Sequence, residues 1–268
     1  MAGKEWPSAA QQKGITLKLH FQYIRDTTNV GDRSCSPFDY FDWGDATVSD
    51  VRESNTPDHD IGIYGGGKIF GGLSSYKGVQ RGNGRLNIAW GVGTLSTFSI
   101  SLRYYRSRRL MDLIGSRDYG DERFDYAPCS SCMAPFFDTP PAPVHDVVFY
   151  AHAGKTTGMC LDIPKHIPVL TNACADLETA LQFIASGKTV VSNSYHGVYW
   201  ALLMGRKTLA VPFSNKFGHY RERPHYATAK NWRDEITNAV ARPEMLSLVR
   251  TATQKFKTTI DDQIAQKS

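Results

Sequence analysis

Apolar residues along the chain gather in short runs broken by polar, glycine-rich stretches, the pattern of buried strands in an open sheet. The first run, Ile15 to Tyr23, predicts a strand leading into the turn Asn29-Val30-Gly31-Asp32, after which Pro37 suits the first turn of a helix. Ile61 to Tyr64 predicts a second strand that runs straight into Gly65-Gly66-Gly67, and Leu86 to Trp90 a third that ends at Gly91-Val92-Gly93. Glycine directly after a strand lets backbone pass close to a ligand or a helix, so both glycine turns mark the carboxyl edge of a sheet.

Between Phe124 and Val144 the periodicity stops and prolines accumulate at 128, 135, 140, 141 and 143, which predicts a connection between two lobes. Strands resume with Asp146 to Ala151 and Ile167 to Leu170. Asp176 is a good N-cap for a helix carrying Leu177, Ala180, Leu181 and Ile184 on one face and ending at Gly187. Thr189 to Ser192 then reads as a buried strand, Tyr195 to Met204 as a helix closed by Gly205, and Thr208 to Val211 as another strand. Such alternation with short connections argues for parallel pairing. Beyond Pro243, the residues Met245, Val249, Ala252, Phe256, Ile260 and Ile264 form one apolar stripe of a long terminal helix. The expected fold is α/β, with a Rossmann-like lobe over 1–143 ending in the proline-rich connection and a second over 144–268 that includes the terminal helix.

Composition changes this picture little. A length of 268 residues accommodates two lobes, and 41% hydrophobic with 21% charged residues is ordinary for a globular protein. No segment is apolar over a bilayer-spanning length. The polar stretch Met1 to Lys13 lacks the apolar core of a secretory signal, so the expected location is cytoplasmic. Five cysteines rule out complete pairing and favour reduced thiols. The net charge of +5 suits anionic substrates, acidic membrane surfaces or nucleic acid without choosing among them.

The candidate chemistry sits where strands give way to turns. His196 follows Ser192-Asn193-Ser194-Tyr195 at a strand-to-helix junction, where helix amides attract phosphate and a histidine can pass a proton to a group held there. A core histidine bonded to a backbone carbonyl is the bland alternative. Arg117, after the short apolar run Leu113-Ile114, offers a bidentate clamp for phosphate or carboxylate, or else an ion pair with Asp118 or Glu122. Lys216, in Pro212-Phe213-Ser214-Asn215-Lys216, would point into the same crevice as His196. Cys129 and Cys132 have metal-knuckle spacing with His145 and His152 downstream, but no second cysteine pair accompanies them, so they read as thiols with no resident metal expected. The run Arg103, Arg106, Arg108 and Arg109, interleaved with Tyr104 and Tyr105, reads as a solvated helix face rather than a nucleic-acid surface.

Taken in order, Asn29-Val30-Gly31-Asp32, Gly65-Gly66-Gly67, Gly115-Ser116-Arg117-Asp118, Ser192 to Gly197 and Pro212 to Lys216 resemble the motif set of the polysaccharide pyruvyl transferase family, over a span from about Gly14 to Phe217. Pro128 to Met133 is similar to a segment of the exopolysaccharide-type branch. Many members carry arginine two residues before the histidine; this chain has Ser194, as in the serine-type branch it resembles.

The resemblance implies two lobes arranged like GT-B glycosyltransferases and transfer of the enolpyruvyl group of phosphoenolpyruvate to a sugar of a surface-glycan precursor, forming a ketal and releasing phosphate. No cofactor is implied. His196 would be the general acid and Asp32 a base or sugar-hydroxyl anchor, although Asn29 to Asp32 also suits a turn that caps the next helix. Arg117, Ser194, Tyr195 and Lys216 would hold the donor, with Asn29, Gly66 and Gly67 on the acceptor side or in its loops. The acceptor expected is a lipid-linked oligosaccharide or polysaccharide precursor, reached by peripheral contact with the cytoplasmic membrane face. A nucleotide-sugar glycosyltransferase and a non-catalytic glycan-binding scaffold are the competing readings, because one fold serves many functions.

Overall fold

The computed structural model describes residues 17–82, 84–95 and 102–267. Met1 to Lys13, and Ile15 at the head of the first expected strand, lie outside them. Two parallel sheets organise the chain. In the first, six strands run in the order β2-β1-β3-β4-β5-β6: β1 (Leu19–Tyr23), β2 (Thr47–Asp50), β3 (Ile61–Tyr64), β4 (Leu86–Val92), β5 (Leu113–Ser116) and β6 (Asp125–Tyr126). The central strands β3 and β4 are buried almost throughout, as expected of a parallel sheet covered on both faces.

The edge strands differ from the sequence reading. β2 is polar and half exposed, and β6 lies inside the stretch expected to be connection alone. Both are held by backbone ladder bonds to β1 and β5, which leave no apolar pattern to read. Pro37 opens a 3₁₀ turn, Pro37–Asp39, capped by Ser36, rather than an α-helix. The short α1 (Val30–Arg33) precedes it, capped by Asn29. In α2 (Leu102–Leu110), Arg103, Arg106, Arg108 and Arg109 face solvent while Tyr104 and Ser107 are buried, as the solvated-face reading requires.

The second sheet has five strands in the order β11-β10-β9-β7-β8. They are β7 (His145–Ala151), β8 (Val169–Thr171), β9 (Gly187–Ser192), β10 (Lys207–Ala210) and β11 (His225–Tyr226). β8 starts later than the expected Ile167 because Pro168 has no N–H to give the ladder; its carbonyl instead accepts from Phe149 N at 2.9 Å. Between β8 and β9 lies α3 (Leu177–Ala185), begun by Asp176, whose carboxylate accepts from Thr179 N at 2.8 Å. Gly187 belongs to β9 rather than to the helix end: a Cβ there would lie 2.5 Å from Val148 Cγ2. α4 (Tyr195–Leu203) follows β9 and is buried along its whole length.

The terminal helix, α5 (Met245–Lys267), buries Met245, Val249, Thr253, Phe256 and Ile260, with Thr253 taking the central place expected of Ala252. Met245 and Val249 pack with the second-sheet core around α4. Phe256 and Ile260 pack with Phe21, Ile61 and Trp90 of the first sheet. The helix therefore crosses from one sheet to the other, and full burial of each of these two side chains contributes about 1.5–3 kcal/mol. A second tie joins α1 to the segment ahead of α3. Val30 N donates to Asn172 O at 2.8 Å, and Arg33 Nη2 donates to the carbonyls of Cys174 and Ala175.

Candidate functional site

Segments leaving the carboxyl ends of strands in both sheets meet around one cavity of about 200 Å³, lined by Ile24, Asn29, Asp32, Lys68, Arg117, His152, Ser194, Tyr195, His196 and Lys216. Ile24 follows β1, Lys68 follows β3, Arg117 follows β5, His152 follows β7, Ser194 to His196 follow β9, and Lys216 follows β10. Crevices beyond strand carboxyl ends are where open α/β sheets bind ligands. Wider concavities, of about 360 Å³ along α5 and about 750 Å³ near the amino ends of β7 and β9, are removed from this edge.

The sequence had singled out Asn29, Asp32, Arg117, Ser194, Tyr195, His196 and Lys216, and all seven line this cavity. Gly66 and Gly67 do not. They lie behind it, where a Cβ on Gly67 would stand 3.5 Å from Asp32 Oδ1 and one on Gly66 would press on Cys35 O at 3.0 Å. Three further lining residues, Ile24, Lys68 and His152, carried no site signal. His152 had been weighed only as a metal ligand, and Lys68 closes the Gly65-Gly66-Gly67-Lys68 sequence, where a cation after a glycine turn was the available clue.

Asn29 is the joint of the site. Its Oδ1 accepts from Gly31 N at 3.1 Å and from Asn172 Nδ2, after β8 of the second sheet, at 2.8 Å, and its Nδ2 donates to Asp32 Oδ2 at 2.7 Å. The turn does cap α1, and the same bonds aim Asp32 at the cavity. Burial raises the Asp32 carboxyl above its usual range, while Arg117, Lys216 and the Asn29 amide pull it back.

Arg117 is 3% exposed, yet its guanidinium makes no ion pair among the described residues, and its Nε has no partner. Neither expected carboxylate takes it. Asp118 Oδ2 instead accepts from the amides of Thr94 and Leu95 at 2.8 and 2.7 Å. What holds Arg117 is the Tyr195 ring, 4.1 Å below its Cζ. Tyr195 is fixed in turn by stacking on Tyr220, whose hydroxyl donates to the Tyr195 carbonyl at 2.8 Å. Lys216 lies 4.7 Å from the Phe213 ring centre and 5.8 Å from that of Tyr195, and burial followed by the Arg117 charge lowers its pKa to about 8. Burying cations is costly, and here two share one small cavity with a single carboxylate, Asp32.

His196 is 5% exposed at the start of α4. Its Nε2 lies 3.7 Å from Cys129 Sγ, and Trp200 and Tyr195 flank the ring. Burial first, then the charges of Arg117 and Lys216, hold its pKa well below the ordinary histidine value, so the imidazole is neutral. Among the described residues it bonds no backbone carbonyl, unlike the core histidine weighed as its alternative. Ser194 is the N-cap of α4 but makes no capping bond, and its hydroxyl is free among the described residues. His152 Nδ1 accepts from Gly154 N at 3.2 Å, while its own amide donates to Asn193 Oδ1 at 2.8 Å.

Cys129 and Cys132 are both buried; Cys129 meets Ser131 Oγ at 3.1 Å and Cys132 meets Thr253 Oγ1 at 3.3 Å. His145 opens β7 at its amino end, away from them. Among the described residues no group of three histidine, cysteine, aspartate or glutamate side chains is placed to hold a metal, and no helix is long and apolar enough to cross a membrane.

No protein-family model, no curated protein and no solved structure matches this chain.

Proposed function

We propose that this chain is a ketal pyruvyl transferase: it binds phosphoenolpyruvate in the cavity and transfers the enolpyruvyl carbon to a sugar of a glycan precursor, releasing phosphate. The observation that carries the reading is Arg117, a buried guanidinium with no ion pair among the described residues, facing Lys216, Asp32 and His196 in one small space. Such an arrangement is complementary to a compact ligand with several negative charges and a carbon that must be protonated. The volume, about 200 Å³, lies below the roughly 300–1,000 Å³ of sites for drug-sized ligands, which argues against a nucleotide sugar as occupant.

Each residue then has a task. Arg117 and Lys216 hold the carboxylate and phosphate, with the Ser194 hydroxyl and the amides at the start of α4 as further donors. Burial keeps His196 neutral and the charges of Arg117 and Lys216 add to it; entry of the anion offsets those charges, so donor binding raises its proton affinity and readies it to protonate the methylene carbon. Asp32 accepts the proton of the attacking sugar hydroxyl. The two-lobed, GT-B-like arrangement, a cytoplasmic setting and a lipid-linked or polysaccharide acceptor met at the membrane face belong to the same proposal.

Calorimetric titration with phosphoenolpyruvate and with uridine and guanosine diphosphate sugars tests it without knowledge of the acceptor. Saturable binding of phosphoenolpyruvate that disappears in Arg117→Ala supports the proposal. Binding of a nucleotide sugar alone, or of neither donor, overturns it.

A further inference from the structure

The cavity holds two histidines, and the proposed chemistry gives the second a task. Ketal formation consumes two sugar hydroxyls. The first oxygen bonds to the enol carbon while the methylene takes up a proton; the second oxygen then bonds to the same carbon as the carbon–oxygen bond to phosphate breaks and its electron pair leaves on phosphate. Two hydroxyl protons are therefore shed, one balanced by the new methyl group and one by the departing phosphate. His196 and Asp32 serve the first exchange. The second needs a group beside the phosphate that can lose and regain a proton to solvent.

His196 is badly placed for that exchange, since it is almost sealed and its Nε2 is turned to Cys129. His152 has the complementary placement. It leaves the carboxyl end of β7, the neighbour of β9, and it is half-buried where His196 is closed. Its Nδ1 is occupied by the amide of Gly154, which places the neutral ring's hydrogen on Nε2, and that nitrogen has no protein partner among the described residues. Its ring stands edge-on to Phe213 at 5.3 Å, and the same ring is overlaid by Lys216 at 4.7 Å and Lys155 at 5.9 Å. The charged and titratable groups around it are thus Lys155 on its own turn, Lys216 on the segment after β10, and His196, Arg117, Asp32 and Lys68 across the cavity. Burial, Lys216 and Lys155 favour its neutral form until an anion arrives.

We infer that His152 is the second proton carrier of the site: when the donor anion enters it takes up a proton from solvent on Nδ1, giving up the Gly154 amide bond, and as the ketal closes it delivers its Nε2 proton to the leaving phosphate while the proton of the second hydroxyl leaves to solvent. The inference rests on the pyruvyl-transfer reading for its last step but not for the first, since any phosphate-bearing anion beside Lys216 would load it. Burial and the adjacent lysines lower the pKa of free His152, so it is uncharged at neutral pH and has a proton to gain.

The test is proton uptake on binding, read by calorimetry near pH 7 in two buffers of different ionisation enthalpy, first with phosphoenolpyruvate and then with inorganic phosphate. Wild type is expected to take up close to two protons per bound anion, one on each histidine, and His152→Gln to lose about one of them while its affinity at pH 8.5 stays within about 3-fold. His196→Gln is expected to lose the other and to keep the share that depends on His152. Unchanged uptake in His152→Gln, or uptake lost only in His196→Gln, overturns the inference. Phosphate binding with His152-dependent uptake but no binding of phosphoenolpyruvate would retain the anion-coupled histidine and sink pyruvyl transfer instead. An unaltered thermal melt of His152→Gln excludes misfolding as the cause.

Discussion

A Cβ built on Gly31 would lie 2.1 Å from Nδ1 of His196, so backbone following the first sheet's β1 is packed directly on the imidazole that follows β9 of the second sheet. Only glycine permits that approach. Gly31→Ala is expected to displace the ring or spread the lobes, costing about 1–3 kcal/mol in stability and at least about 10-fold in turnover. Parallel thermal melts and phosphate-release assays check it, and a variant with wild-type values in both would mean that the ring has room to move.

Arg117 pairs function with stability. Burial opposes its charge, but Tyr195 and Asp118 hold its pKa above the ordinary arginine value, so Arg117→Met is expected to lower the melting temperature of the ligand-free protein by about 2–4 °C, corresponding to about 1 kcal/mol, while abolishing phosphoenolpyruvate binding. A higher melting temperature would show that the cost of burying the charge outweighs these partners.

His196→Gln keeps the shape of the ring's edge but removes a group that carries a proton. Turnover is expected to fall by about 10²- to 10⁴-fold with donor affinity changed by less than about 3-fold. Steady-state kinetics alongside direct binding separate the two; equal losses in both would make His196 a binding contact only.

These expectations were within reach because parallel sheets put their functional residues at a place sequence can mark. A β-branched run ending in polar residues ahead of a new helix locates His196, and a short apolar strand followed by Arg117 locates the guanidinium. What sequence does not carry is the return of distant segments. Nothing local says that Phe256, far along the terminal helix, packs on Trp90 at 5.1 Å, or that Asn172 reaches back to Asn29. The edge strands Thr47–Asp50 and Asp125–Tyr126 were missed because backbone pairing, not apolar burial, creates them. His152 and Lys68 were missed as site residues because each is placed by segments of the two sheets meeting at one cavity, and neither sits in a pattern of its own.

Lys216 predicts how donor binding depends on pH. With its pKa lowered to about 8 in the free protein, it is largely protonated at pH 7 and loses its charge as pH rises through that value. Phosphoenolpyruvate affinity is expected to be level from about pH 7 to 7.5 and then to weaken by up to about 10-fold per unit above 8. Lys216→Met should bind more weakly and lose the alkaline decline. A decline that survives the substitution would assign it to another group.

The first sheet carries its own acid sensitivity, away from the site. His20 is fully buried on β1, with Nδ1 2.7 Å from Thr47 Oγ1, Nε2 2.9 Å from Ser49 Oγ and the ring of His59 5.2 Å away. Burial, with the neighbouring His59 charge, lowers its pKa to about 4, whereas the unfolded chain titrates near 6.5. Between these values the unfolded state binds the extra proton. The neutral histidine's contribution is therefore intact above about pH 6.5 and is lost as pH falls toward 4, by up to about 3 kcal/mol at about 1.4 kcal/mol per unit. Urea unfolding at pH 7, 5.5 and 4.5 is expected to show that decline in wild type and a shallower one in His20→Gln, whose amide spans the same two hydroxyls without titrating. Equal slopes in the two proteins would remove His20 as the cause and leave the acid sensitivity to the carboxylates.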